Sequence, residues 1–441
     1  MSRSDMNIAE RARFQGFMIL DRFRGGKIEE KIRQDIRAYN EGTLIYETNE
    51  KIRNLIAHAV RTTAFYSKFP EDVELKDLPV VNKDTWRGDY DAFISSAYSD
   101  RKGCREMTTS GSTGTPFTMI QDPDKIKLNT ADSIFLGMLG GYAIGEKMAF
   151  IRVWVNNVKK SRLRLKMENS LMIDSSSLSD ESIAKIMRTL RRQRVKVLVG
   201  YSSALGEISR WIDATGHDTR KYSVRAIIPI SETMPDTVRA RLKEQFNCTC
   251  QAWYSNEENG IMGLQLPDSN SYYINSESYF YEILKMDSDE PAEDGELGRV
   301  VITDLTNYAF PILRYDNGDT AVAHTEIREG RKKLFLTELY GRRSDLIYDT
   351  SGHAVTPYII TNNFWDVQGV AQYQFIQTGL KDYELRLNGD RSLMNVDDML
   401  DRILPTLGED ANINVVYVDE IPVLASGKRK YIENRCPEYQ R

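Results

Sequence analysis

A chain of 441 residues exceeds what one simple core organises, so two domains of unequal size are expected. With 41% hydrophobic and 28% charged residues and a mean hydropathy of −0.47, the composition is that of a globular protein. No run approaches the length of about 20 apolar residues needed to span a bilayer, and a net charge of −5 argues against a large nucleic-acid footprint. The N-terminus, MSRSDMNIAERARFQGFMILDRFRGGK, has charges on both sides of its only apolar patch and no small-residue cleavage pattern, so no signal peptide is expected. Four scattered cysteines (Cys104, Cys248, Cys250, Cys436) make no disulfide framework and fit a cytoplasmic, reducing setting.

TTSGSTGTPF, residues 108–117, is dense in hydroxyls and glycine. Two readings stay open for it alone: a surface turn, or a concavity of backbone N–H groups that wraps an anion. The basic runs VKKSRLRLK, around 158–166, and RTLRRQRVK, around 188–196, read as solvated helix faces.

The clearest architectural signal follows. VKVLVGY, ending at Tyr201, is a continuous apolar run suited to a strand buried on both faces, and Leu205, Ile208 and Ile212 then recur at helical spacing. VRAIIPI (224–230) reads as a second buried strand. Pro235 suits the first turn of the next helix, which carries Val238, Leu242 and Phe246 on one face. CTCQAWYS (248–255) supplies a third strand. This alternation predicts a parallel sheet flanked by helices, with ligands beyond the carboxyl ends of its strands. The segments 201–203, 231–233 and 254–258 are therefore expected to converge.

Cys248 and Cys250 read as core, because His58, His217, His324 and His353 give no metal spacing with them. YSNEEN, with two carboxylates after a hydrophobic strand, reads either as helix capping by Asn256 or as a functional site. DGELGRVVITDL (294–305) reads as a turn and a strand, and NYAFPILRYDNGD (307–319) as a strand ending in an Asn-Gly turn. A junction at GRRSD divides residues 1–340 from residues 341–441, whose strand, strand, helix, strand order makes a compact α+β domain.

Taken in order, TTSGSTGTPF, ISETMPD, YSNEENG, GELGRVVITDLTNYAFPILRYDNGD, GRRSD and ASGKRKY resemble the adenylate-forming superfamily of acyl-CoA synthetases. The likeness spans roughly residues 80 to 432 and is nearest to the phenylacetate-CoA ligase branch and its capsule-biosynthesis-associated relatives. It implies an α/β fold in which a large N-terminal ATP- and acid-binding domain, with parallel and mixed sheets, carries a small mobile C-terminal domain. It also implies a two-step reaction that joins a carboxylic acid to the α-phosphorus of ATP and passes the acyl group to coenzyme A. The alternative is a related acyl- or AMP-transferase acting on an amine or sugar acceptor. The implied cofactors are ATP, Mg²⁺ and coenzyme A, with a small acid as partner, no nucleic acid, and room for a homodimer.

Residue roles follow from the same resemblance. Thr109, Ser110, Gly111, Ser112, Thr113, Gly114 and Thr115 match the phosphate loop, which lacks the lysine of a Walker A sequence. Ser231 and Glu232 match the stretch beside adenine, Tyr254 the aromatic that stacks on it, and Glu258 the acid that helps hold Mg²⁺. Asp319 matches the acid that accepts the ribose hydroxyls, and Arg342 an arginine that reaches the nucleotide. Glu257 stands where the superfamily commonly has a threonine, and Ser344 where it has the hinge residue. Arg314 is either a ligand contact or an internal ion pair. Lys428 matches the catalytic lysine delivered by domain closure. Tyr201, Trp253 and Tyr254 are compatible with an aromatic acid, though core packing explains them equally well.

Overall fold

The computed structural model describes residues 6–108, 117–154, 161–355, 360, 363–364, 367–422 and 430–439. Thr109 to Thr115 and Lys428 lie outside the described residues. The flanks of the phosphate-loop segment are described: Arg105–Thr108 pairs antiparallel with Thr118–Gln121.

Five strands, β1 (Met148–Arg152), β2 (Ser170–Asp174), β3 (Val197–Tyr201), β4 (Ala226–Ile230) and β5 (Thr249–Cys250), form a parallel sheet in the order β2-β1-β3-β4-β5. One face meets the helices Asp180–Arg192, Ser202–Thr215 and Asp236–Phe246 through Ile151, Leu198 and Ile227 against Met187, Leu205 and Leu242. Each such buried aliphatic side chain contributes about 1.5–3 kcal/mol. The helices begin and end where their sequences dictate. Ser179 caps the first through Ser182 N, with Asp180 and Glu181 in its first turn and Arg191 and Arg192 in its last. Gly216 ends the second in the left-handed region at φ 61°. Pro235 takes the N-cap of the third, one residue before the expected first turn.

A second, antiparallel sheet takes β6 (Trp253–Asn256), β7 (Gly260–Gln265), β8 (Tyr272–Ile274), β9 (Tyr279–Leu284), β10 (Leu297–Asp304), β11 (Tyr315–Arg328) and β12 (Arg331–Arg342) in the order β9-β10-β11-β12-β8-β7-β6, with Thr43–Leu44 added to β12. The expected strand at 248–255 is thus two strands. β5 closes the parallel sheet, and the chain then crosses through Gln251 and Ala252 to open the antiparallel one. The crossing is stitched: Gln251 N donates to Ile227 O at 3.1 Å, and Gln251 Nε2 to Gln265 O at 2.7 Å. Trp253 packs on the sheet face formed by Met148, Val197, Val199, Ala226 and Ile228, which fills the space between the sheets.

YSNEEN is not a helix start. Asn256 Oδ1 accepts from Asn259 N at 2.7 Å and closes the turn between β6 and β7. Residues 307–314 are irregular rather than a strand. Nor does the Asn317-Gly318 pair reverse the chain. It sits inside β11 as a bulge, where the pairing with β10 shifts between Arg299–Thr320 and Val301–Asp316.

Beyond Arg342, Val370–Gln377, Asp382–Gly389, Asn412–Tyr417 and Ile432–Asn434 form a four-stranded sheet with the helix Val396–Leu407. The strand, strand, helix, strand order is as expected, with one short closing strand added. Near the N-terminus, the helices Lys27–Glu41 and Pro123–Leu139 enclose a charged cluster. Lys31 pairs with Asp35 and, at 3.2 Å, with Asp132, whose Oδ1 also accepts from Asn275 and Ser278.

Candidate active site

The bulge in β11 builds the first half of the site. Gly318 takes φ 84°, in the left-handed region that glycine enters without strain. Asn317 Oδ1 accepts from Asp319 N at 2.9 Å, and Asp316 Oδ1 accepts from Gly318 N at 2.9 Å. Asp319 consequently faces Arg342 of β12 across the strand pair, with 3.3 Å between Oδ1 and Nε. Its Oδ2 accepts from Tyr254 Oη at 2.8 Å and from Asn317 Nδ2 at 2.8 Å. Arg342 also donates to the carbonyl of Asn317.

Asp319 pushes the Arg342 pKa up, and burial raises the hydroxyl of Tyr254 well above its ordinary range, with Asp319 adding to the shift. Arg342 stays cationic and Tyr254 stays a donor. A single carboxylate held by two strands is a fixed acceptor for a pair of ligand hydroxyls.

Glu258 forms the second half. It follows β6 at only 2% exposure. Its Oε1 meets Lys83 Nζ at 2.5 Å and accepts from Tyr315 Oη at 3.3 Å. Lys83 opens the short helix Lys83–Gly88, capped by Asn82, and Trp86 on the same helix stacks on Tyr315 with centroids 4.2 Å apart. The segment is laid along β11: Val81 N donates to Arg314 O at 3.0 Å, and Asp316 N to Val81 O at 2.8 Å. Arg314 supplies the clasp, pairing with Glu282 at 3.0 Å and donating to the carbonyls of Lys76 at 2.8 Å and Leu78 at 2.7 Å. The internal ion pair is therefore the structural role of Arg314.

Burial raises Tyr315 well above its ordinary range, with Glu258 adding to the shift, and Glu258 also acts on Arg342. Glu258, Tyr315, Asp319 and Arg342 thus share one site. No three His, Cys, Asp or Glu residues make a metal cage among the described residues. The Glu258 carboxylate, with Lys83 and Tyr315 both on its Oε1, fits Mg²⁺ by ligand type, since that ion takes one or two protein carboxylates and completes its shell with phosphates and water.

Ser231 and Glu232, expected beside adenine, lie at the edge of the parallel sheet. Ser231 has φ 70°, uncommon for a residue with a side chain. The turn it starts docks on the helix after β3: Ser203 N donates to Glu232 Oε2 at 2.9 Å, and Ser202 Oγ to Glu232 O at 2.9 Å. Burial raises the Tyr201 hydroxyl; Glu232 and Glu257 add to the shift and Arg152 opposes it, so these charges surround one ring. Segments 201–203, 231–233 and 254–258 do converge. Glu257 itself is exposed.

Sequence reasoning missed Lys83, Tyr315, Asn317 and Arg152. Asn317 was visible in the YDNGD run, as the residue whose side chain steers the bulge. Lys83 carried only the signal of a capped turn ahead of a tryptophan.

Residues 347–435 match the family model described as the CapK C-terminal domain. Over 427 residues, 91% of this chain and 92% of the relative, the chain is 22% identical to Protein CapK of Staphylococcus aureus. It is 20% identical over 339 residues, 73% of each chain, to the phenylacetate-coenzyme A ligase of Thermus thermophilus. Among solved structures, 2-hydroxyisobutyryl-CoA ligase in the postadenylation state in complex with 2-HIB-AMP superposes with a TM-score of 0.69 over 89% of this chain and 90% of that one, at 14% identity. The chain has the fold of the adenylate-forming CoA ligases, and its residues 347–435 are similar to the CapK C-terminal domain.

Proposed function

We propose that the protein is an AMP-forming ligase that adenylates a small carboxylic acid, aromatic in character, and transfers the acyl group to coenzyme A. The observation that carries this reading is the Asp319 carboxylate, tied to Tyr254, Asn317 and Arg342 beside the buried Glu258, in a fold shared with a ligase that binds an acyl-AMP. The likeness to a phenylacetate-coenzyme A ligase supports the aromatic acid.

In this reading Asp319 accepts the ribose hydroxyls, and Arg342 orients that carboxylate. Ser231 and Glu232 line the adenine edge, where the Glu232 carboxylate is already fixed by Ser203. Glu258 would hold Mg²⁺, which, when bound, offsets phosphate charge. Lys83, on the same carboxylate, keeps the site near neutrality before nucleotide arrives. The phosphate loop of Thr109 to Thr115 covers the departing pyrophosphate. Lys428 brings an ammonium to the oxygens that gain charge between acid and α-phosphate. Residues 341–441 turn about the junction after Tyr340 to deliver Lys428 and then to open a path for the thiol.

Lys428→Ala is expected to retain ATP binding and to lose acid-dependent pyrophosphate exchange by about 10²–10³-fold. Near-normal exchange in that variant overturns the assignment. Mass analysis of products formed with coenzyme A, or with amines in its place, decides the acceptor.

A further inference from the structure

The inter-sheet face of the parallel sheet ends in a charge. Along β1 this face carries Met148 and Phe150, and along β3 Val197 and Val199. Register pairs Phe150 with Val199 and Ile151 with Gly200, so the next residue of β1 on this face is Arg152, while Tyr201 at the end of β3 packs into the core beneath the helices. Beside them, Ile230 is level with Tyr201 on β4. Arg152 thus stands at the carboxyl end of β1, at the mouth of an apolar wall. The strand order β2-β1-β3 makes the β1–β3 gap the point where connections run off in opposite directions, which is where sheets of this class take ligands.

The guanidinium lies against two aromatic rings and meets the Tyr201 hydroxyl through a side-chain hydrogen bond. Its carbon lies 5.2 Å from the Trp154 ring centroid and 5.8 Å from that of Tyr201, two aromatic faces that hold it flat. Trp154 is itself fixed, its Nε1 donating to Ile173 O at 3.0 Å. Arg152 Nε is buried and has no hydrogen-bond partner. A guanidinium offers a planar fork suited to a carboxylate, and a buried donor left unpaired is costly.

We propose that Arg152 anchors a second anionic group at the far end of the acid, so that the preferred substrates are aromatic acids carrying a second carboxylate rather than aromatic monoacids. This inference rests on the ligase reading above. Strand spacing supports it: β1 lies two strands from β4, about 10 Å across the sheet. An acid activated beside Ser231 and Glu232 would reach toward Arg152 along Ile230. A ring-length body between two carboxylates spans that distance once the arginine side chain extends inward.

The test pairs para-carboxyphenylacetate with para-methylphenylacetate, similar in size and different in tail charge. Pyrophosphate exchange and calorimetric binding are measured for the whole chain and for Arg152→Gln and Arg152→Lys. Wild type is expected to show a KM about 10–100-fold lower for the diacid. Arg152→Gln is expected to erase that ratio by raising the diacid KM alone, and Arg152→Lys to keep part of it. Equal kcat/KM for the two acids in wild type overturns the anchor without recourse to any variant, and so does a ratio untouched by Arg152→Gln. Absence of exchange with either acid, combined with diacid binding that depends on Arg152, upholds the anchor and overturns the ligase reading. Absence of both overturns the anchor.

Discussion

At the scale of single residues, the site is a set of charges that satisfy one another across long stretches of chain. Lys83 and Glu258 show the principle, since Glu258 is covered on all sides and its nearest cation comes from the N-terminal third. Lys83→Met removes the ion-pair partner of that buried carboxylate and leaves the Tyr315 hydroxyl as its side-chain donor among the described residues, and the expected cost is about 1–3 kcal/mol. A urea unfolding midpoint unchanged from wild type would show the pair to be dispensable. Tyr254, Glu258, Asp319 and Arg342, which the proposed function assigns to one nucleotide, could be singled out in sequence because each sits in a short run that resembles a family motif. Lys83 was not, because its meaning depends on a partner on another element and the run around it signals only a capped helix. Arg152 was hidden for a related reason: strand register, not local pattern, sets it beside Tyr201.

At the scale of elements, two features have measurable consequences. Gly318 holds the bulge that turns Asp319 toward Arg342, and a Cβ there would stand 3.3 Å from Arg342 Nη1 at a φ of 84°. Gly318→Ala is therefore expected to cost about 1–2 kcal/mol and to weaken nucleotide binding together with stability; calorimetry with ATP beside urea unfolding reads both, and a loss of stability with intact binding would separate bulge from site. The sequence suggested a turn here because Asn-Gly is the commonest hairpin signal. The antiparallel neighbours on both sides of β11 keep the strand running, and the same pair supplies a bulge instead.

The second feature is the helix pair around Lys31. Burial pushes the Asp35 carboxyl up to about 7, opposed by Lys31 and reinforced by Asp132 and Glu277. An unfolded aspartate titrates near about 3.9, so between these values the folded chain holds a proton that the unfolded chain lacks. Stability then falls as pH rises through that window, and the loss is complete above it. Asp35→Asn cannot ionise, and between about pH 5 and about pH 8 it is expected to gain about 1–3 kcal/mol on wild type. A difference in unfolding free energy that stays constant over that range would refute the linkage.

At the scale of the whole molecule, the alternation of strands and helices from 195 to 246 was readable because period and breakers agree there. The eight-stranded sheet was not, since its pairings join segments distant in sequence, such as Thr43–Leu44 with β12. The junction after Tyr340 is tied by ion pairs to strand β11 on one side and to the C-terminal residues on the other. Arg343 meets Asp316 at 3.0 Å, Asp316 also meets Arg299 at 2.9 Å, and Asp345 meets Lys430 at 3.1 Å. Asp316→Asn is expected to loosen the junction, so that limited proteolysis within 341–345 proceeds several-fold faster, about 3–10-fold for a tether of about 1 kcal/mol. An unchanged cleavage rate would mean that strand pairing alone holds it.

The passage through Gln251 and Ala252 bears on how such a protein can be recombined. Because one short stretch ends the parallel sheet and begins the antiparallel one, and Gln251 and Gln265 fasten the two, neither sheet is a free-standing unit of exchange. A chimera cut between Cys250 and Gln265 would inherit mismatched halves of the seam, whereas a cut at the exposed turn Glu293–Glu296, beyond β9, leaves it intact. In such hybrids the face that ends in Arg152 then travels together with the strand that carries Tyr254.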